Sequence, residues 1–325
     1  MKLFGKITAA AVSIVTAFSM SACSNNETDK KSDKINIICT TFSEYDWTRE
    51  IVGNNSDIEI TYLLDDGVDL HNYQPNAEDM LKISSCDMFV YVGGESDKWV
   101  NDALNEAVNK DMKVVSLLDV LGNSAKEEEV KEGMEAEDEA EPEDDGIEYD
   151  EHVWLSVKNA EICCDAICDA VCELDPSASE SYKSSLSDYK AQLDSLDKDY
   201  TEMADSAKIK TLLFGDRFPF RYLVDDYGID YYAAFVGCSA ETEASFETIV
   251  GLAKKLDDND IDTVFKIENS DDSLAKAIIE NSSDKNRGIE SLNSIQSVTA
   301  DMVNSGISYI SIMRDNLETL RKVLC

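Results

Sequence analysis

The strongest constraint on the fold lies just past the middle of the chain. Tyr182, Leu186, Tyr189, Leu193, Leu196, Tyr200 and Met203 recur at spacings of four and three residues, the interval that stacks side chains on one face of an α-helix. The stripe predicts a single helix of about thirty residues within 175–206, which at 1.5 Å per residue reaches roughly 45 Å. Asp175-Pro176 offers it a cap and a first-turn proline. A coiled coil would use the same stripe. Strand-and-helix alternations on both sides of it instead favour a rigid spine laid across two lobes.

Before the stripe, 35–40, 57–64, 87–92 and 113–117 read as strands. Helices are expected between them at 44–52, 76–83 and 98–108, with a further helix at 159–173. After it, strands at 209–214, 229–235, 261–267 and 288–292 alternate with helices at 221–227, 245–256 and 274–280, and a closing helix covers 309–323. Alternation of this kind implies crossover connections and parallel pairing. The fold class is therefore α/β, two lobes, each a mostly parallel sheet flanked by helices, joined by one long spine helix. The expected boundaries are 35–174 for the N-terminal lobe, 175–206 for the linking helix and 207–325 for the C-terminal lobe. Ligands of such sheets bind beyond the carboxyl ends of the strands and in clefts between lobes.

The chain opens with Lys2 and Lys6, an apolar run from Ile7 to Phe18, and Met20-Ser21-Ala22 ahead of Cys23. This reads as an export signal over 1–22 whose apolar run is too short to span a bilayer stably. A cysteine at the cleavage point resembles the lipidation site of bacterial lipoproteins, with 23–34 as a polar tether. The mature chain is then expected on the extracytoplasmic face of the cell membrane, held by a lipid anchor. Ordinary secretion is the plainer alternative.

The net charge of −38 argues against a nucleic-acid partner. Residues 127–151 hold fifteen carboxylates and one lysine, a charge of −14, so −24 remains for the rest and acidity belongs to the whole surface. Such a surface attracts cations. The acidic stretch 126–151 is expected to be a mobile loop, either a solvated spacer or a collector of cations. Of nine cysteines, Cys163, Cys164, Cys168 and Cys172 crowd one helix. Cysteines so close cannot close a useful loop and read as small buried apolar residues.

Only two histidines exist. His71 lies in Asp69-Leu70-His71-Asn72-Tyr73-Gln74-Pro75, after a strand, and His152 in Glu148-Tyr149-Asp150-Glu151-His152-Val153-Trp154-Leu155. Taken singly, a histidine is more often a surface or hydrogen-bonded residue than a ligand. Two of them, both in carboxylate-rich loops, suit a first-row metal ion.

Two segments carry a family resemblance. Gly67 to Pro75 is similar to the Gly-x-x-x-His-x-Tyr-x-Pro segment, and Asp150 to Ser156 to the His-x-Trp-x segment, of the metal-binding substrate-binding lipoproteins of ABC importers, the zinc and manganese receptors. The acidic run stands where zinc receptors often carry a histidine-rich loop. The resemblance implies a monomeric receptor, not an enzyme, that captures a divalent metal between two lobes. It would deliver the metal to an ABC permease and, through it, to the ATPase. It implies His71 and His152 as ligands. The third ligand register falls on Gly215, with Asp216 one residue along, able to coordinate or to pair with Arg217. For the fourth, Asn293 stands near the last strand, with Glu268 at the rim and a carboxylate folded in from 143–151 as further candidates. Zn²⁺ is the expected cargo and Mn²⁺ the alternative. The competing functions are an extracytoplasmic zinc-dependent hydrolase and an acidic surface adhesin needing no metal. Against the hydrolase, the sequence has neither a His-Glu-x-x-His helix nor a nucleophile elbow.

Overall fold

The computed structural model describes residues 34–135, 148–239 and 243–325. The signal segment 1–22, Cys23, the tether up to residue 33 and positions 136–147 of the acidic run lie outside the described residues. Among those described, no helix is long and apolar enough to cross a membrane.

The first half runs β1 (Ile35–Cys39), α1 (Phe42–Val52), β2 (Ile58–Tyr62), α2 (Ala77–Ser85), β3 (Met88–Tyr91), α3 (Val100–Glu106), β4 (Lys113–Ser116), α4 (Leu117–Leu121) and α5 (Val157–Leu174). Then come α6 (Ser179–Ser206), β5 (Thr211–Phe218), α7 (Arg221–Tyr227), β6 (Asp230–Val236), α8 (Phe246–Asp258), β7 (Thr263–Ile267), α9 (Ser273–Asn281), β8 (Gly288–Leu292), α10 (Ala300–Asn304) and α11 (Tyr309–Leu324). Two four-stranded sheets result, ordered β2-β1-β3-β4 and β6-β5-β7-β8, with every pairing parallel. The two sheets share one topology. In each, the first strand lies between the second and third, so chain direction across the sheet reverses there.

The spine is α6, which buries Tyr182, Tyr189, Leu193, Leu196, Tyr200 and Met203. It packs on α1 and α5 of the first lobe and on α11, the last helix. The Tyr200 hydroxyl donates to the Met313 carbonyl at 2.6 Å, so its one polar atom is satisfied in the core. The helix starts at Ser179, not at Pro176. The Asp175 carboxylate accepts from the Ser177 amide at 3.1 Å and from the Tyr182 hydroxyl at 2.8 Å, closing a turn ahead of the helix instead of capping it.

Two other expectations are revised. Strand β5 continues to Phe218 through a register shift between Phe214 and Arg217, so Gly215 and Asp216 are strand residues, not loop residues. The ends of the acidic stretch, residues 126–135 and 148–151, are tied down by hydrogen bonds. Glu128 N donates to Glu148 O at 2.9 Å, Asp150 N to Lys126 O at 2.8 Å, and Glu135 N to Ala234 O on β6 at 2.9 Å. Basic groups offset the local repulsion, Arg221 reaching Glu129 at 3.4 Å and Lys131 reaching Asp230 at 2.5 Å.

One apolar core continues from the first lobe through the spine into the second. Trp154 donates its Nε1–H to Ser294 O at 2.9 Å, and Tyr309 donates its hydroxyl to Trp154 O at 2.7 Å and its amide to Asp46 at 2.7 Å. Cys39, Cys86, Cys163, Cys164 and Cys168 are buried free thiols. Burial pushes Cys86 and Cys168 up to about 12, which leaves these thiols inert.

If the spine is core, Leu193→Ala should cost about 2–5 kcal/mol in chemical denaturation, and Gln192→Ala, one residue away on the exposed face, within about 0.5 kcal/mol. Equal effects from the two would refute that placement.

Candidate metal centre

His71 sits in a short 3₁₀ turn, Leu70–Asn72, beyond the carboxyl end of β2. Asp69 caps the turn, one oxygen accepting the His71 amide at 3.1 Å. Its other oxygen pairs with the Arg217 guanidinium from β5, a contact between lobes. Burial would raise Asp69, but Arg217 and His71 together outweigh it and hold the carboxyl below its ordinary range. His152 is fully buried just before a second 3₁₀ turn, Val153–Leu155, whose Trp154 is the anchor described above.

Both imidazoles are oriented from behind by carboxylates. Asp150 Oδ1 lies 2.9 Å from His152 Nδ1 and accepts the His152 amide at 2.9 Å. His71 Nδ1 lies 2.8 Å from Ser96 Oγ and 3.4 Å from Glu151 Oε2. Glu151 Oε1 accepts the Ser96 amide at 2.8 Å, fixing that loop. Burial would raise Glu151, yet its contacts with His71 and Ser96 prevail and hold it below the usual carboxylate range. Only glycine suits position 94, where φ is +87° and a Cβ would lie 2.4 Å from Glu151 Oε1.

The consequence is electrostatic. The Asp150 carboxylate at Nδ1 of His152 favours the tautomer with its proton there, which leaves that ring's Nε2 as a lone pair. The two Nε2 atoms face each other at 3.1 Å. At that distance an N–H of His71 can bond the lone pair of His152, or a metal cation can take both nitrogens as donors. Nitrogens bound at 2.0–2.1 Å on a tetrahedral zinc ion stand roughly 3.3 Å apart. The observed spacing is therefore close to that of a metal's two ligands.

The third nearby donor is Cys238, in the loop that leaves β6. Ligand atoms of His71, His152 and Cys238 all lie within 4.8 Å of one another. Of these three, His71 and Cys238 line a cavity of about 260 Å³ together with Glu95, Glu128, Glu148 and Glu151, while His152 is fully buried behind them. Burial, with Asp150, Glu128 and Glu151 close by, raises the Cys238 thiol well above its ordinary value. Burial also pushes Glu128 up to about 7.

The remaining sequence candidates are engaged elsewhere. Asp216 accepts backbone amides with both oxygens, from Arg217 at 2.9 Å and from Ile267 on β7 at 3.1 Å. Its strand position points it to the neighbouring strand, and Arg217 uses its guanidinium on Asp69, not on Asp216. Glu268 holds Ser294 through its amide at 2.7 Å and hydroxyl at 2.9 Å. Asn293 Oδ1 accepts the Ile295 amide at 2.7 Å. Of the described part of the acidic stretch, Asp150 and Glu151 stand behind the imidazoles and Glu128 and Glu148 line the adjoining cavity, while positions 143–147 lie outside the described residues. Sequence reasoning missed Cys238 and Ser96. A position just past the carboxyl end of a parallel strand was the available signal for Cys238.

Fold and site together define a class: a two-lobed α/β protein built around a candidate metal centre at the seam of its lobes. Residues 37–323 match the family described as ZnuA, zinc-uptake complex component A, periplasmic, and the chain belongs to that family. It is 30% identical over 305 residues to the zinc-binding lipoprotein AdcA of Streptococcus pneumoniae (strain ATCC BAA-255 / R6), covering 93% of this chain and 58% of that protein. It is 27% identical over 312 residues to the high-affinity zinc uptake system protein ZnuA of Bacillus subtilis (strain 168), covering 94% and 93%. The crystal structure of the Zn(II)-bound ZnuA-like domain of S. pneumoniae AdcA is similar with a TM-score of 0.69 at 27% identity, covering 90% of this chain and 99% of that one. The chain thus spans somewhat over half the length of the AdcA relatives it matches.

Asp150→Asn keeps the shape behind His152 and removes the charge. It should weaken metal binding by about 10- to 100-fold with the fold retained, measured by competition with a chelating dye. Unchanged affinity would show that this contact does not orient the ligand.

Proposed function

We propose that this protein is an extracytoplasmic receptor that captures a divalent transition metal, zinc first, between its lobes and delivers it to an ABC permease and the ATPase behind it. The single observation that carries the reading is the pair of facing Nε2 atoms at 3.1 Å, each ring backed by a carboxylate. Such a pair is poised to take a cation as a shared partner. Membership in a family described as a zinc-uptake component, and relatives named for zinc binding, support zinc over manganese. In this reading the metal is cargo, His71 and His152 are its nitrogen ligands, and one chain suffices for the site.

The boundaries proposed are a signal over 1–22, lipidation at Cys23, a tether to 34, lobes at 35–174 and 207–325, and the linking helix at 175–206. A relative named as a lipoprotein supports the anchor. It would keep the receptor beside its permease on the outer face of the membrane. Capture begins at the carboxylate-lined mouth, whose charge concentrates cations, and ends on the imidazoles, which bind through their Nε2 atoms.

The variant carrying His71→Ala and His152→Ala should fold but retain no zinc by native mass spectrometry. The parent chain should hold one zinc and turn over no peptide, ester or phosphate substrate. Binding as tight as the parent's in the double variant would refute the reading, and turnover would favour a hydrolase.

Neutralising the mouth with Glu95→Gln and Glu148→Gln should slow zinc association at low ionic strength while equilibrium affinity stays within about tenfold, ~1.4 kcal/mol. Stopped-flow association across a salt series reads this. Total loss of binding would place those carboxylates on the metal itself.

A further inference from the structure

We infer that Cys238 is the third metal ligand, bound as a thiolate, and that it makes the site selective for thiophilic divalent cations such as zinc over manganese. The inference rests on the receptor reading above and specifies its ligand set and cargo class.

The topology puts Cys238 where a ligand belongs. In the second sheet β6 holds the place that β2 holds in the first. His71 follows β2 and Cys238 follows β6, so equivalent strand ends of the two lobes supply opposite sides of one centre. Gly237 makes the approach possible. A Cβ there would lie 3.0 Å from both Cε1 and Nδ1 of His152 and from Phe218 O, so the bare backbone packs against the ring and delivers the next side chain to the cluster. The Cys238 amide donates to Glu128 Oε1 at 3.3 Å, which ties the loop to the acidic segment.

The alternative position is closed. Gly215, on the ligand register that the sequence suggested, has Ala275 Cα 2.9 Å and Ala275 N 3.0 Å from where its Cβ would stand. The helix α9 backbone leaves no room for a side chain. Asp216, Glu268 and Asn293 hold backbone amides, as described above. Two neutral imidazoles and one thiolate then give an N₂S set with one open position for water or a further donor.

Binding exchanges the thiol proton for the cation. The S–H bond breaks, the proton passes to water, and sulfur gives its electron pair to the metal, with no change of oxidation state. A thiolate favours zinc. Manganese prefers oxygen donors and stands lowest in the divalent affinity order, so it gains least from this ligand.

The test uses the purified full chain and Co²⁺ as a probe of the ligand set. One equivalent of Co²⁺ should produce the near-ultraviolet thiolate-to-cobalt charge-transfer absorption in the parent. Cys238→Ser should still take up Co²⁺ through its histidines but lose that absorption. Its zinc affinity should fall by more than about 100-fold, beyond the loss of an outer partner, and its manganese affinity by less than about tenfold. Cys238→Asp should bring the zinc-to-manganese ratio down further. A cobalt-loaded parent without the charge-transfer absorption overturns the inference with no variant needed. So does its persistence in Cys238→Ser, or an unchanged metal ratio. Each of these results leaves the receptor reading standing, because that reading fails on different outcomes, metal binding by the double histidine variant as tight as the parent's or turnover of substrate.

Discussion

Two imidazoles held with their Nε2 atoms 3.1 Å apart are the interaction on which the rest of the structure depends. They are kept in place by Asp150 behind one ring, by Ser96 and Glu151 behind the other, and by glycines at 94 and 237 that let backbone come closer than any side chain allows. A cation entering between the rings would find its donors already placed, which is the physical content of a preorganised site.

The lobes are braced for this task. Trp154 lies two residues from His152 and is bonded to Ser294 and to Tyr309, while Tyr309 is bonded to Asp46 and Tyr62 to Val298 O at 2.9 Å. Asp69, which caps the His71 turn, pairs with Arg217 of the other lobe. Each contact crosses between elements far apart in the chain, and the spine runs beneath them. A hinge opening would have to break several buried hydrogen bonds, each expensive to leave unmade. On the receptor reading, cation capture would therefore be a matter of local adjustment at the mouth and the ligating loops, not of wide separation of the lobes.

Most of the architecture was legible because its signals are periodic. The stripe from Tyr182 to Met203 and the strand alternation on either side depend on burial patterns that repeat many times, so errors stayed at element ends, as at Pro176 and at the far end of β5. The two histidines were legible because they are the only ones and sit in segments with a distinctive neighbourhood. The proposed third donor was not. Cys238 is one cysteine among nine, with no partner at a regular spacing, and only the shared topology of two sheets brings it beside residues 71 and 152. Asp216 misled for the opposite reason, since it lies beside a plausible register, yet a strand that runs on past Phe214 directs its carboxylate to the Ile267 amide.

The acidic segment also takes on a sharper role than its composition suggests. Residues 126–135 and 148–151 form an anchored strap whose Glu135 accepts from the amide of Ser245 and the hydroxyl of Thr248 at the start of α8, while Glu128 meets the Cys238 amide. Carboxylates therefore form a graded path. The outer ones stand at the cavity mouth, Glu128 is pushed up to about 7 by burial, and of the innermost pair Asp150 accepts from the His152 amide and faces its ring while Glu151 accepts the Ser96 amide. On the receptor reading proposed above, a cation that depends on oxygen ligands would be attracted to the mouth and gain little by going further, whereas one that binds imidazole well would gain most at the buried rings, so that the strap would concentrate dications and the depth of the site would sort them.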